Sequence, residues 1–302
     1  AVSSFGFSGT NAHLVIESAG QPERTAAHLE RPLHILALAA KTDAALDRLA
    51  QRYAEHCAKH PDRPTGDFCF AANTGRAHQG QRLACVGSTW QELGQALAAG
   101  RVAKCAARTN TAPPVAFRFS RWGHRNGHGD LGRELFETQP VFRRTLMRCS
   151  QILSPYLPLP LIDLLYPRGR AFAPSDDFLD QPSCFWPAAF SLGYAMHAML
   201  QSWGLRPTVV LGDGPGEYVA ACAAEVFSLE TGLALAAERG KWLQDLTTAE
   251  VFRQTAAGMK LTAPQVDVVS AATGRLVEEK ALRDPEYWGR PPHSSGRMPE
   301  AV

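Results

Sequence analysis

The sequence predicts an α/β fold, and three observations carry it. From Pro113 onward strand-like and helix-like segments alternate, which is the pattern of a parallel sheet with helical crossovers. The segment Val209–Ala220 runs from an apolar strand through glycines straight into a helix. The 302 residues, 45% hydrophobic and 20% charged, describe a globular chain. A chain of that size buries roughly three quarters of the surface it exposes when unfolded, so it needs no metal or disulfide to hold it.

In order along the chain, the opening residues are punctuated by glycine as far as Asn11 and then alternate at Leu14 and Ile16, which predicts a tight turn feeding a single strand. Residues 21–31 are polar and uneven, a linker by composition. Leu33–Ala40 reads as a buried strand. Thr42 is the expected N-cap of a helix with Ala45, Leu46, Leu49, Tyr53 and Cys57 on one face, stopping at Pro61. Arg82–Gly87 is a second strand, and Thr89 with Glu92 forms a capping box for a helix that ends at Gly100. Together these predict a small α+β module. The larger module opens with a strand at Val115–Phe119, then a glycine-rich loop, then one helix from Leu131 with Phe136, Val141, Phe142 and Leu146 on its apolar face. A long apolar helix over Pro187–Trp203, the strand Val209–Leu211, a further helix and a strand at Val266–Ser270 follow, with a turn at Thr273 and Gly274. Beyond Trp288 the composition reads as a frayed tail.

Charge and composition exclude several classes. Lys+Arg number 31 against 29 Asp+Glu, a net charge of +2, and no basic stripe is interleaved with aromatics, so a nucleic-acid partner is not expected. The longest mostly apolar stretch, Phe185–Leu200, is interrupted by Pro187, Ser191 and His197 and is too short for about 30 Å of hydrocarbon, so no membrane span is expected. The first 20 residues lack the n- and h-regions of a signal peptide. Seven cysteines form no CxxC, which argues against a zinc ribbon or disulfide framework and fits a cytoplasmic setting. His124 and His128 have the spacing of a metal pair, but Gly123, Gly127 and Gly129 make that stretch a loop, and no metal is expected.

The segment Val209-Val210-Leu211-Gly212-Asp213-Gly214-Pro215-Gly216-Glu217 has the frame of a G-x-S-x-G nucleophile elbow, with Gly214 at the apex where a serine would stand. A dinucleotide loop is the competing reading, but the spacing is not G-x-G-x-x-G and no acid follows a second strand. Asp213 is a candidate carboxylate nucleophile, against the simpler reading of a solvated turn residue. Cys222 reads as a small core residue.

Long blocks carry a resemblance. SSFGFSGTNAHLVIE resembles the end of a ketosynthase, and PLHILALAAKTDAALDRLAQRYAEH with ANTGRAHQGQRLACVG resembles the linker that follows it. GRELFETQPVFR, QSWGLRPTVVLGDGPGEYVAACAAEVFSLETGLALAAERG and VVSAATGRL with DPEYW resemble an acyltransferase of a modular type I polyketide synthase. The resemblance implies a ketosynthase tail over 1–20, a linker over 21–110, an acyltransferase core over 111–288 and an irregular tail over 289–302. The implied activity moves a malonyl-type acyl group from CoA, through a serine in a GHSxGE turn, to the phosphopantetheine of an acyl carrier protein. The CoA thioester is substrate, and no resident cofactor is implied. Implied partners are ketosynthase and carrier-protein domains, with an acyltransferase acting in trans as a further candidate.

Carried over residue by residue, the pattern departs from the family. Gly214 stands at the nucleophile, Asp213 at the histidine before it, and Pro215 at the residue whose N–H completes the oxyanion hole. Losing one such donor costs about 100 to 1,000-fold in rate. Arg239 in Ala237-Glu238-Arg239-Gly240 matches the arginine that pairs with the malonyl carboxylate. Trp186 replaces the glutamine of a TQPA motif, and Trp122, in Arg121–Arg125, falls in the loop that reads GQGSQ in the family; both are expected to plug the cleft. Val269-Ser270-Ala271 replaces VSN. The family's ferredoxin-like subdomain, which bears the catalytic histidine, lies between the last two motifs; here only Lys241–Pro264 does, with no histidine. His13, Phe5 and Phe7 fall in the segment that resembles the ketosynthase tail. Two readings follow: a catalytically inactive, structural or vestigial acyltransferase, or an active one whose nucleophile comes from Asp213, His124 or His128.

Overall fold

The computed structural model describes residues 1–18, 31–61, 64–107, 113–120, 132–167, 177–271 and 273–290. Residues 21–30 of the linker expected at 21–31, and Trp122, His124 and His128, lie outside the described residues. The chain divides into two units, Ala1–Glu30 and Arg31–Val302.

In the first unit β1 (Val2–Phe5) and β2 (Asn11–Leu14) pair antiparallel, with Val2 opposite Leu14. The expected single strand is therefore a hairpin. Gly6 N–H donates to the Thr10 carbonyl at 2.7 Å, and Gly9 turns the chain at φ +89°. Both strands are exposed throughout, a ribbon with no core of its own.

The second unit starts with β3 (His34–Ala40), α1 (Asp43–Lys59), α2 (Thr65–Thr74), β4 (Gln81–Gly87), α3 (Trp90–Ala98) and β5 (Ala103–Ala106), the sheet running β3-β4-β5 antiparallel. Thr42 caps α1 by accepting from Ala45 N–H at 3.2 Å. Thr89 caps α3 by accepting from Glu92 N–H at 3.1 Å. The Glu92 carboxylate accepts from Ser88 N–H and Oγ, and these bonds, with the Thr89 backbone of the capping box, hold its pKa below the usual range. Gly100, at φ +66°, and Arg101 donate to the carbonyls of Leu97 and Ala96, closing the helix as its sequence predicts. β3 is only half buried: Leu36 and Leu38 face the core while Ile35 faces out. Its outer edge is covered by Asn73, whose Oδ1 accepts from Ala37 N–H and whose Nδ2 donates to the Ile35 carbonyl, both at 2.8 Å. Helix α2 and strand β5 escape sequence reading because α2 lacks a side-chain cap and β5 has no buried residue.

A second core is built from β6 (Ala116–Phe119), α4 (Arg133–Thr138), α5 (Pro140–Ile152), α6 (Leu161–Leu165), α7 (Asp177–Asp180), α8 (Pro182–Ser202), β7 (Val209–Gly212), α9 (Pro215–Ala223) and α10 (Leu229–Gln244). A 3-10 turn (Leu246–Thr248), α11 (Ala249–Ala257), β8 (Asp267–Ser270), β9 (Arg275–Leu276), α12 (Glu279–Leu282) and α13 (Pro285–Gly289) complete it. Strands β6, β7 and β8 are parallel in that order and β9 adds antiparallel to β8, so the expected α/β core with a parallel sheet is present. The one helix expected from Leu131 is two, because Pro140 forces Gln139 into an extended conformation (φ −113°, ψ 104°). The long apolar helix begins at Pro182 rather than Pro187, and Pro187 sits inside it. Gly289, expected in the tail, ends α13. The connection from α10 to β8, residues 245–266, holds only the 3-10 turn and α11, with no strand. Phe252 of α11 stacks on Trp242 of α10, centroids 5.3 Å apart.

His197 on α8 is 4% exposed, ringed by Phe117, Phe119 and Tyr194, and its Nδ1 has no hydrogen-bond partner among the described residues. Burial lowers its pKa from 6.5 to about 4. Its neutral form is the one that folds. Stability is therefore full above pH 6.5 and falls as the unfolded chain, and finally the folded one at about pH 4, takes up the proton. The loss approaches about 3 kcal/mol, since each tenfold difference in proton affinity between the two states is worth about 1.4 kcal/mol. Urea melts at pH 7 and pH 4.5 are expected to show this fall, and His197→Leu is expected to flatten it; equal pH slopes in both chains would contradict the assignment.

Candidate active site

The strand–turn–helix at the end of β7 is built around two close approaches. A Cβ added to Gly212 would stand 2.0 Å from the Gly216 carbonyl oxygen, and one added to Gly216 would stand 2.0 Å from the Phe119 carbonyl oxygen. Only glycine lets the start of α9 lie this close to β6 and β7. Asp213 N–H donates to the Phe119 carbonyl at 2.9 Å, while Gly216 and Glu217 N–H donate back to Asp213 and Gly214. Gly214 caps α9 at φ +57°, ψ −123°, in the left-handed half of conformational space, and an added Cβ would meet nothing within 4 Å. The apex thus has the positive-φ backbone and the open space of an elbow, without a side chain. Pro215, at the first position of α9, has no N–H to aim at an oxyanion.

The surrounding groups are poor replacements. Asp213 is half-buried and held through its backbone. Burial raises the Cys222 thiol well above its usual range, which keeps it protonated, as the core reading expects. Ser270, level with Gly212 across β7 and β8, lies beside the turn. Tyr287 Oη donates to Glu217 at 3.2 Å; burial and that carboxylate push the phenol upward, so it stays neutral.

Arg239 on α10 is 6% exposed. Its Nε donates to Tyr218 Oη at 3.0 Å and its Nη1 to the Arg290 carbonyl at 2.6 Å. The guanidinium carbon lies 4.5 Å from the Phe252 ring centroid, 5.0 Å from that of Trp242 and 6.0 Å from that of Trp186. Burial raises the Tyr218 phenol to about 12, so it remains an acceptor that also carries its own proton. Trp186, expected in the cleft, is buried against both Arg239 and Tyr218. Sequence reading named Arg239 and Trp186 and missed Tyr218, Trp242, Phe252, Tyr287 and Arg290. The DPEYW block held a signal for Tyr287; the others come together only through tertiary packing. Neither a cluster of three metal-ligating side chains nor a helix able to cross a membrane occurs among the described residues.

Comparison with known proteins agrees with this geometry. Residues 34–97 match the family described as CurL-like, PKS C-terminal, and residues 128–274 match the acyl transferase domain family. The spectinabilin polyketide synthase system protein NorB of Streptomyces orinoci is 34% identical over 304 residues, covering 92% of this chain and 14% of that protein. Polyketide synthase GfsB of Streptomyces halstedii is 34% identical over 258 residues, 83% of this chain and 4% of that protein. The chain therefore spans only a small part of the length of these relatives. Among solved structures, the acyl transferase domain of ZmaA superposes with a TM-score of 0.78 at 22% identity, over 86% of this chain and 77% of that one, a likeness of fold. The elbow between β7 and α9 falls inside the second family match and the β3-β4-β5 module holds the first, so the chain belongs to the polyketide synthases, as a segment in which a PKS C-terminal region precedes an acyltransferase domain.

Proposed function

We propose that this acyltransferase domain is catalytically silent and serves as a structural segment between neighbouring synthase domains. The observation that carries the proposal is the bare apex: Gly214 has the elbow's backbone and no hydroxyl to acylate. Two further features support it. Pro215 offers no oxyanion donor, and Arg239, the residue matched to carboxylate binding, is already hydrogen-bonded within the protein and covered by Trp186. Carrier-protein and ketosynthase domains are the partners of this reading, and malonyl-type groups would reach the carrier from an acyltransferase acting in trans.

The test is intact-protein mass spectrometry after incubation with malonyl-CoA and with methylmalonyl-CoA, with and without a phosphopantetheinylated carrier protein. The expected result is no adduct on this chain and carrier loading at the uncatalysed rate. Loading above that rate overturns the proposal, and the mapped adduct then names the nucleophile. Gly214→Ser belongs in the same assay. The open space accepts the side chain, and the positive φ costs about 1–3 kcal/mol. The serine is expected to leave loading at background, because residues 241–264 supply no histidine as base and Pro215 still offers no N–H.

A further inference from the structure

We infer that the end of α13 is a strap, latched onto the domain by Arg239, with the Arg290 backbone carbonyl standing where an acyl carboxylate would bind that guanidinium. The inference deepens the silent reading at the same residue and rests on it only for the absence of a competing carboxylate.

A guanidinium this buried must find acceptors, since a desolvated cation without them is costly. Among the described residues Arg239 has no carboxylate partner. Its acceptors are two neutral oxygens, Tyr218 Oη and the Arg290 carbonyl, and three aromatic faces. Those groups come from five places along the chain: Trp186 on α8, Tyr218 on α9, Trp242 on α10, Phe252 on α11 and the residue after α13. Phe252 belongs to the short 245–266 connection. Both that connection and the strap therefore converge on one side chain.

The strap is held at a second point as well. Trp288, 2% exposed, packs on Tyr218 and Phe227, and Tyr287 hydrogen-bonds Glu217 of the elbow helix. The Arg290 guanidinium lies 5.1 Å from the Tyr287 ring centroid. A five-residue helix ends between these anchors. The Arg239 bond is the charge-assisted one, the strongest type available to a backbone carbonyl.

Hydrogen-exchange mass spectrometry on the full chain tests the latch. Arg239→Met is expected to speed exchange over residues 285–290 by about tenfold or more, the factor that corresponds to losing a charge-assisted hydrogen bond, while β3 and β4 exchange as before. Arg239→Lys, which keeps a charged donor without the fork, is expected to fall between the two. Unchanged exchange at 285–290 in the Met variant, or an equal increase in β3 and β4, overturns the proposal. Should the Met variant not fold, the unmodified chain decides. In graded urea residues 285–290 are expected to open together with α10, and opening well before α10 overturns the latch. Free malonate separates this inference from the silent reading: faster exchange at 285–290 on adding it means that a carboxylate displaces the strap, which upholds the latch and removes the silent reading's support at Arg239.

Discussion

Replacing Gly216 with alanine is expected to destabilise the chain by an amount at or above the top of the roughly 1–3 kcal/mol range for overpacking. Helix propensity favours the change, since alanine in a helix is better than glycine by about 1 kcal/mol. Packing opposes it more strongly. The new Cβ would stand 2.0 Å from the Phe119 carbonyl oxygen and 2.7 Å from its carbon, and these are backbone atoms of a strand paired to β7 that cannot rotate aside. Relief requires α9 to move off the sheet, which breaks the Asp213–Phe119 bond that shapes the elbow. Gly204→Ala is the control. Gly204, unlike the helical Gly216, has a positive φ, +84°, and nothing lies within 4 Å of an added Cβ, so there only the conformational cost of about 1–2 kcal/mol applies. Chemical denaturation of both variants separates the two causes, and equal losses would show that the close approach is not what requires glycine at Gly216.

Trp288→Ala is expected to cost roughly 3–5 kcal/mol, the range for removing a large buried aromatic. The indole is 2% exposed, its Nε1 donates to the Leu282 carbonyl at 2.9 Å, and its ring meets Phe227 edge-on at 5.1 Å. The loss is expected to spread, because α13 also carries Tyr287 to Glu217 and delivers Arg290 to Arg239. Trp203→Ala supplies the comparison: Trp203 is 49% exposed and gains a stacked Arg31 at 5.9 Å, a contact worth about 0.5–1 kcal/mol at an exposed site. Urea midpoints at matched slope read both variants, and a loss at Trp288 no larger than at Trp203 would count against α13 as a structural anchor.

The bare elbow has a thermodynamic side. A serine at such an apex holds a strained backbone for the sake of its chemistry, whereas glycine adopts φ +57° with little penalty. Where no hydroxyl is needed at the apex, glycine is the more stable choice.

Much of this protein is determined by local rules that its sequence states openly. The caps at Thr42 and Thr89, the helix end at Gly100, the strand into Val209–Gly212 and the glycine frame of the elbow are set by residues adjacent in the chain, because capping bonds and left-handed turns are short-range. Where a strand is short and without a buried face, as in Val2–Phe5 and Ala103–Ala106, periodicity has nothing to detect, and the partner strand alone makes the structure. The break at Pro140 is visible as a residue but outweighed by an apolar pattern running across it. Sequence also determined that Gly214 brings no hydroxyl and Pro215 no N–H to the turn. Only the tertiary structure decided what Arg239 does. Its acceptors, Tyr218 and Arg290, stand 21 and 51 residues away along the chain, and its aromatic cover comes from three helices. A buried charge takes whatever partners the fold brings within about 3 Å, and no sequence pattern encodes that convergence.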